Sequence, residues 1–143
     1  MKKHFILFIT IIFTLAMISS AYAKCPELRK TKSAPMVQDK TKKANKVNGK
    51  ILFNKTAKPI ACKMCHGKTG AGNGKLGKVL NPRPRNFTCK ETMKKVSAGQ
   101  MFWIIKNGSK GTGMVAHKKT LKDKEIWDII KYIRTDLMKG KNE

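Results

Sequence analysis

The sequence predicts an all-α domain with helices near both ends and long loops between them. Two helical patterns and one missing pattern carry that expectation. Ile126, Ile129, Ile130, Ile133 and Leu137 fall at i, i+3, i+4, i+7 and i+11, the stripe of an amphipathic helix. Met101, Ile104 and Ile105 form a second, shorter stripe behind Ser97, with Gln100 three residues on from that serine as in a capping box. No segment alternates apolar and polar residues as a half-buried strand would.

The chain opens with Lys2 and Lys3, an apolar run from Phe5 to Ile18, and the A-x-A site Ala21-Tyr22-Ala23. That run is short of the ~20 residues a bilayer span needs. Residues 1–23 therefore read as a secretory signal cut after Ala23, which places the mature protein in the periplasm or another extracytoplasmic space. Residues 24–45 are rich in lysine, hold Pro26 and Pro35, and have little apolar periodicity, so a basic, largely irregular arm is expected. The folded domain should run from 46 to 140.

Within it, a helix is expected from Lys46 to about Lys55. Gly49 and Phe53 share one face there, and the glycine would let a second helix cross closely. Gly67 to Lys78 holds five glycines among lysines. It follows no strand pattern and lacks the G-K-[ST] ending, so it reads as a tight loop and not as a phosphate cradle. Asn81 to Phe87, with Pro82 and Pro84, continues as irregular chain. The helix after Ser97 should stop at Asn107-Gly108, Ser109 to Lys119 should be a loop, and Thr120, with Asp123 three residues on, should open the last helix, which Gly140 ends.

Cys62-Lys63-Met64-Cys65-His66 says what these helices surround. C-x-x-C-H is the attachment signature of a c-type haem. Two thiols three positions apart can each form a thioether to one vinyl group, and the adjacent histidine then faces the iron. A zinc site would need four ligands, and no second C-x-x-C exists. A redox dithiol would need a βαβ setting that this chain lacks.

Three groups compete for the far side of the iron. Met114 sits in Gly111-Thr112-Gly113-Met114, between two helices and outside either stripe. Its thioether would favour ferrous iron and raise the potential. His117 would lower the potential, and a Cys89 thiolate would lower it further, with Cys25 a remoter version of the same. Cys25 and Cys89 are the even pair left once haem takes two thiols, so in an oxidising compartment a disulfide between them is expected, with two free thiols as the alternative. The proximal His66 needs a carbonyl for its Nδ1–H, and Pro82 and Pro84 offer stiff ones. Phe87, Trp103, Trp127 and Tyr132 are the aromatic candidates for the cleft wall.

These residues resemble a class I cytochrome c of bacterial type over roughly Lys46 to Leu137. The resemblance rests on Gly49 and Phe53, the Cys62-x-x-Cys65-His66-Gly67 element, the Pro-containing loop, Gly113-Met114, and Trp127 with Tyr132-Ile133. It implies three to four helices wrapped around one covalently attached haem c, crossed terminal helices, and His66 and Met114 as axial ligands. It also implies a mono-haem carrier shuttling single electrons, not an enzyme turning over a substrate. A haem-based binder of small gases such as NO or CO, and a subunit of a redox complex, are the alternatives, with Cys89, His117 or an open position on the distal side.

The charge balance bears on partners. The 32 basic side chains stand against 8 acidic ones, for a formal +24. Such a field steers association with acidic surfaces. Export argues against nucleic acid, which leaves acidic redox proteins and anionic membrane surfaces as the expected partners.

Overall fold

The computed structural model describes Cys25 and residues 36–138. The signal segment 1–23, most of the arm and Gly140 lie outside the described residues. The described residues form helices and loops with no strand, and none of these helices is long and apolar enough to cross a membrane.

Helix α1 spans Lys46–Ile51 and runs on as a π-helical turn over Leu52–Thr56. Asn45 caps it, its side chain accepting from the Asn48 N–H at 3.1 Å. The single-turn helices α2 (Lys63–His66) and α3 (Lys90–Met93) follow, with a 3₁₀ turn at Gly77–Val79 between them. α4 spans Ala98–Asn107, and Ser97 caps it by accepting from the Gln100 N–H at 3.0 Å. α5 spans Asp123–Tyr132 and continues as a π-helical turn over Ile133–Leu137.

The start of α5 departs from expectation. Lys122, not Thr120, is its first flanking residue, and the Glu125 carboxylate reaches back to the Lys122 N–H at 2.7 Å. The Thr120 hydroxyl is drawn off to the Lys58 carbonyl, 2.6 Å away. Just before α1, Thr41–Lys43 form a 3₁₀ turn, and Val37 and Ala44 pack against the core.

The core sits where α1 crosses α5. Gly49 makes the crossing close: a Cβ there would lie under 3.0 Å from the Asp128 carbonyl and 2.9 Å from the Ile129 nitrogen. Phe53, Ile126, Ile129 and Ile130 have no exposed surface. Phe53 meets Tyr132 edge to face at 5.5 Å, and Trp127 stacks on Phe102 of α4 at 4.6 Å.

Asp128 is wholly buried at the same crossing. Its carboxylate accepts from the Asn45 N–H (2.7 Å), Asn48 Nδ2 (2.8 Å) and Lys124 Nζ (3.0 Å). Burial pushes its pKa up, but these donors outweigh it and hold the group below its ordinary 3.8. The stabilisation is therefore complete above the unfolded value and is lost as pH falls through the lower folded one. Asp128→Asn would keep one oxygen acceptor but set an amide NH2 against either the Asn45 N–H or the Asn48 and Lys124 donors, and Lys124 would lose its charge partner. It is expected to lower stability at pH 7 by about 2 kcal/mol. In denaturant titrations the gap to the parent protein should close below pH 3.8.

Candidate haem site

The attachment turn is a helix of minimal length. In α2 the His66 N–H donates to the Cys62 carbonyl at 2.9 Å, and the Gly67 N–H to the Lys63 carbonyl at 2.8 Å. Gly67 ends the turn at φ +79°, a conformation open to glycine. The glycine-rich loop then folds back on the turn. Leu76, Gly74 and Gly72 donate their N–H groups to the carbonyls of Met64, Cys65 and His66 at 2.9, 3.1 and 2.8 Å. Those amides complete the attachment turn, so they cannot also cradle a phosphate.

His66 is held from two sides. Its Nδ1 donates to the Arg85 carbonyl at 3.1 Å, and its ring stacks on Phe87 with centroids 4.5 Å apart and planes 15° apart. Burial pushes its pKa down to about 4, so the ring is neutral at pH 7. The carbonyl is not that of Pro82 or Pro84, as the sequence suggested. The Pro84 carbonyl instead faces Gly72, where a Cβ would lie 2.6 Å from it, and the next carbonyl along meets the imidazole. The Cys62 thiol is pushed up to about 12 by burial, and burial raises Cys65 as well. Neither thiol is the low-pKa nucleophile of a redox dithiol. Among the described residues no group of three or more His, Cys, Asp or Glu side chains could hold a metal ion by itself.

Cys62, Cys65 and His66 open onto a cavity of about 720 Å³. Its walls include Phe53, Met101, Ile104, Ile129 and Ile133, so its floor is the back of the core. Met114 and His117 line the same cavity. The Met114 backbone is fixed at both ends: its N–H donates to Thr112 Oγ1 at 3.1 Å, and its carbonyl accepts from the Ser109 N–H at 3.0 Å. Phe87 and Trp103 line the cavity, whereas Trp127 and Tyr132 stand behind it in the core. Cys25 and Cys89 are joined as a disulfide with Cα atoms 5.8 Å apart, and Cys89 is not part of the cavity wall.

Two thiols and a neutral, oriented imidazole on one apolar cavity fit a covalently attached haem c, and Met114 lines the same cavity. Arg83, Arg85 and Lys110 also line the cavity, cations suited to the two carboxylates such a group carries. Sequence reading did not single out the Arg85 carbonyl or the Thr112 hydroxyl. The first is backbone and leaves no residue-type signal, while the second lay in view inside Gly111-Thr112-Gly113.

This combination of helices and donors defines a protein that holds haem covalently. Residues 46–136 match the family model described as Cytochrome c, and the chain belongs to that family. It is accordingly a c-type cytochrome, with the covalently bound haem c of that family. No curated protein sequence matches the chain. Among solved structures, it is similar to a chain titled as the Kuenenia stuttgartiensis reducing HAO-like protein complex Kustc0457/Kustc0458, with 21% identity and a TM-score of 0.54. That match covers 76% of this chain and 47% of the solved one, so the chain spans about half the length of that neighbour. At this identity the likeness concerns the fold.

Proposed function

We propose that the protein is an extracytoplasmic mono-haem carrier that shuttles single electrons between redox partner proteins. Cys62 and Cys65 form the thioethers, His66 is the proximal ligand and Met114 the distal one. The observation that carries this reading is that one apolar cavity receives both the His66 ring, oriented by the Arg85 carbonyl, and the tethered Met114.

The haem, when bound, supplies the one-electron couple. The chain does the rest. The Arg85 carbonyl fixes the tautomer and plane of His66 and raises its basicity. The Met114 thioether favours the ferrous state and raises the potential. The apolar walls keep water from the centre. Between Lys40 and Lys90 the chain carries no carboxylate side chain at all, and such a surface steers the encounter with acidic partners. Lys2, Lys3, the apolar run from Phe5 to Ile18 and the Ala21-Tyr22-Ala23 site support export of the mature chain.

The test is a visible spectrum of the mature holoprotein, oxidised, then reduced, then reduced under carbon monoxide. A methionine-to-ferric-iron charge-transfer band is expected, with carbon monoxide taken up only slowly by the reduced form. A missing band with a fast shift would overturn the carrier reading in favour of a gas binder.

A further inference from the structure

Lys58 lies four residues before Cys62, on the segment that leads into the attachment turn. Its carbonyl accepts two hydrogen bonds from a distant part of the chain: His117 Nδ1 donates at 2.8 Å and Thr120 Oγ1 at 2.6 Å. Both lone pairs of that oxygen are thereby used. A carbonyl cannot donate, so the proton must sit on Nδ1, which sets the tautomer of His117. The ring is 3% exposed and lines the cavity, three residues after Met114.

The far flank of His117 is anchored as well. Its N–H donates to the Ile105 carbonyl and the Lys118 N–H to the Lys106 carbonyl, both at 3.0 Å, which ties this stretch to α4. Among the described residues, the two bonds to Lys58 are the only hydrogen bonds joining residues 108–120 to residues 57–67. Val115 and Ala116, between Met114 and His117, have no ring to restrain the backbone. Hydrogen bonding thus ties the loop that carries Met114 to the segment leading into the attachment turn through one backbone oxygen, beside the packing of Leu80 against Gly113.

We propose that His117 and Thr120 form a latch on the Lys58 carbonyl that holds the Met114 loop closed and keeps small external ligands from the distal side. The inference rests on Met114 being the distal ligand. Both are positioning residues. His117 acts through its Nδ1–H and Thr120 through its hydroxyl, and neither is required to touch the iron. A histidine buried only to fill space would need no donor aimed at a carbonyl already bonded to a second group.

The experiment uses the holoprotein and four variants: His117→Leu and Thr120→Val, which remove the donors, and His117→Asn and Thr120→Ser, which keep one in each place. The readouts are the charge-transfer band of the ferric form, the rate of carbon monoxide uptake by the ferrous form, and thermal unfolding. Each apolar variant is expected to take up carbon monoxide about tenfold faster than the parent, the weight of one ordinary hydrogen bond. Each conservative variant should stay within about twofold of the parent. Should His117→Leu fail to take up haem, Thr120→Val leaves the buried ring in place and carries the same comparison. Apolar variants that melt earlier yet bind carbon monoxide at the parent's rate would show a purely structural role and overturn the latch. A band present in the parent, with uptake unmoved in the variants, sinks the latch alone. A parent without the band sinks the ligand reading, and the latch with it.

Discussion

Gly49→Ala is expected to destabilise the protein by at least about 2 kcal/mol, in the range that overpacking of a close-packed interior brings. On propensity alone the change should help, since alanine is favoured over glycine inside a helix by roughly 1 kcal/mol. The crossing reverses the sign. A methyl group at Gly49 would meet the Asp128 carbonyl and the Ile129 nitrogen of α5. Both are helix backbone, which cannot rotate aside as a side chain can. The helices must separate, and separation also pulls Asn45 and Asn48 away from the buried Asp128 carboxylate. Thermal unfolding of the oxidised holoprotein should show the midpoint falling by about 8 °C or more. A variant as stable as the parent would mean that α1 and α5 do not meet so closely in solution.

Met114→Ala is the change with the largest expected effect on function. Removal of the thioether takes away the ligand that favours ferrous iron, so the reduction potential should fall by about 100 mV or more, a modest part of the roughly 0.8 V that axial ligands span. The charge-transfer band should vanish and the ferrous form should bind carbon monoxide. Haem attachment should persist, because Cys62, Cys65 and His66 belong to the other side of the cavity. Potentiometry and spectra on the same sample read all three. An unchanged potential and spectrum would remove Met114 from the iron. His117 shares the cavity, and its Nδ1–H bond to the Lys58 carbonyl leaves Nε2 without a proton, so a bis-histidine spectrum in this variant would identify it as the substitute ligand. Cys89 is committed to Cys25.

Much of this was legible in the residues. The start of α1 at Lys46, the Ser97 cap and the stop at Asn107-Gly108 are local effects of capping chemistry and glycine, and the chain writes them where they act. The Gly49 crossing was legible too, because a glycine one turn from Phe53 on the same face has few other uses. The start of α5 misled because Thr120 is a good cap by type, yet its hydroxyl found the Lys58 carbonyl. The aromatic wall was half legible: composition says that rings will be buried, and only packing says which of them face the cavity. What stayed hidden has a common cause. The Arg85 and Lys58 carbonyls hold the two histidines, and backbone oxygens look alike in every sequence.

The disulfide has a topological consequence. Cys25 and Cys89 close a covalent ring that contains α1, the Lys58 carbonyl and the whole Cys62–His66 turn. α4, α5 and Met114 lie on the tail outside it. A single backbone cut inside the ring leaves the chain covalently in one piece until the sulfurs are reduced, whereas a cut in the tail leaves a fragment held only by packing and hydrogen bonds. The two sides of the haem cavity are thus unequally insured against proteolysis: after a nick the half with the attachment residues stays covalently joined, and the half with the distal residue depends on its packing alone.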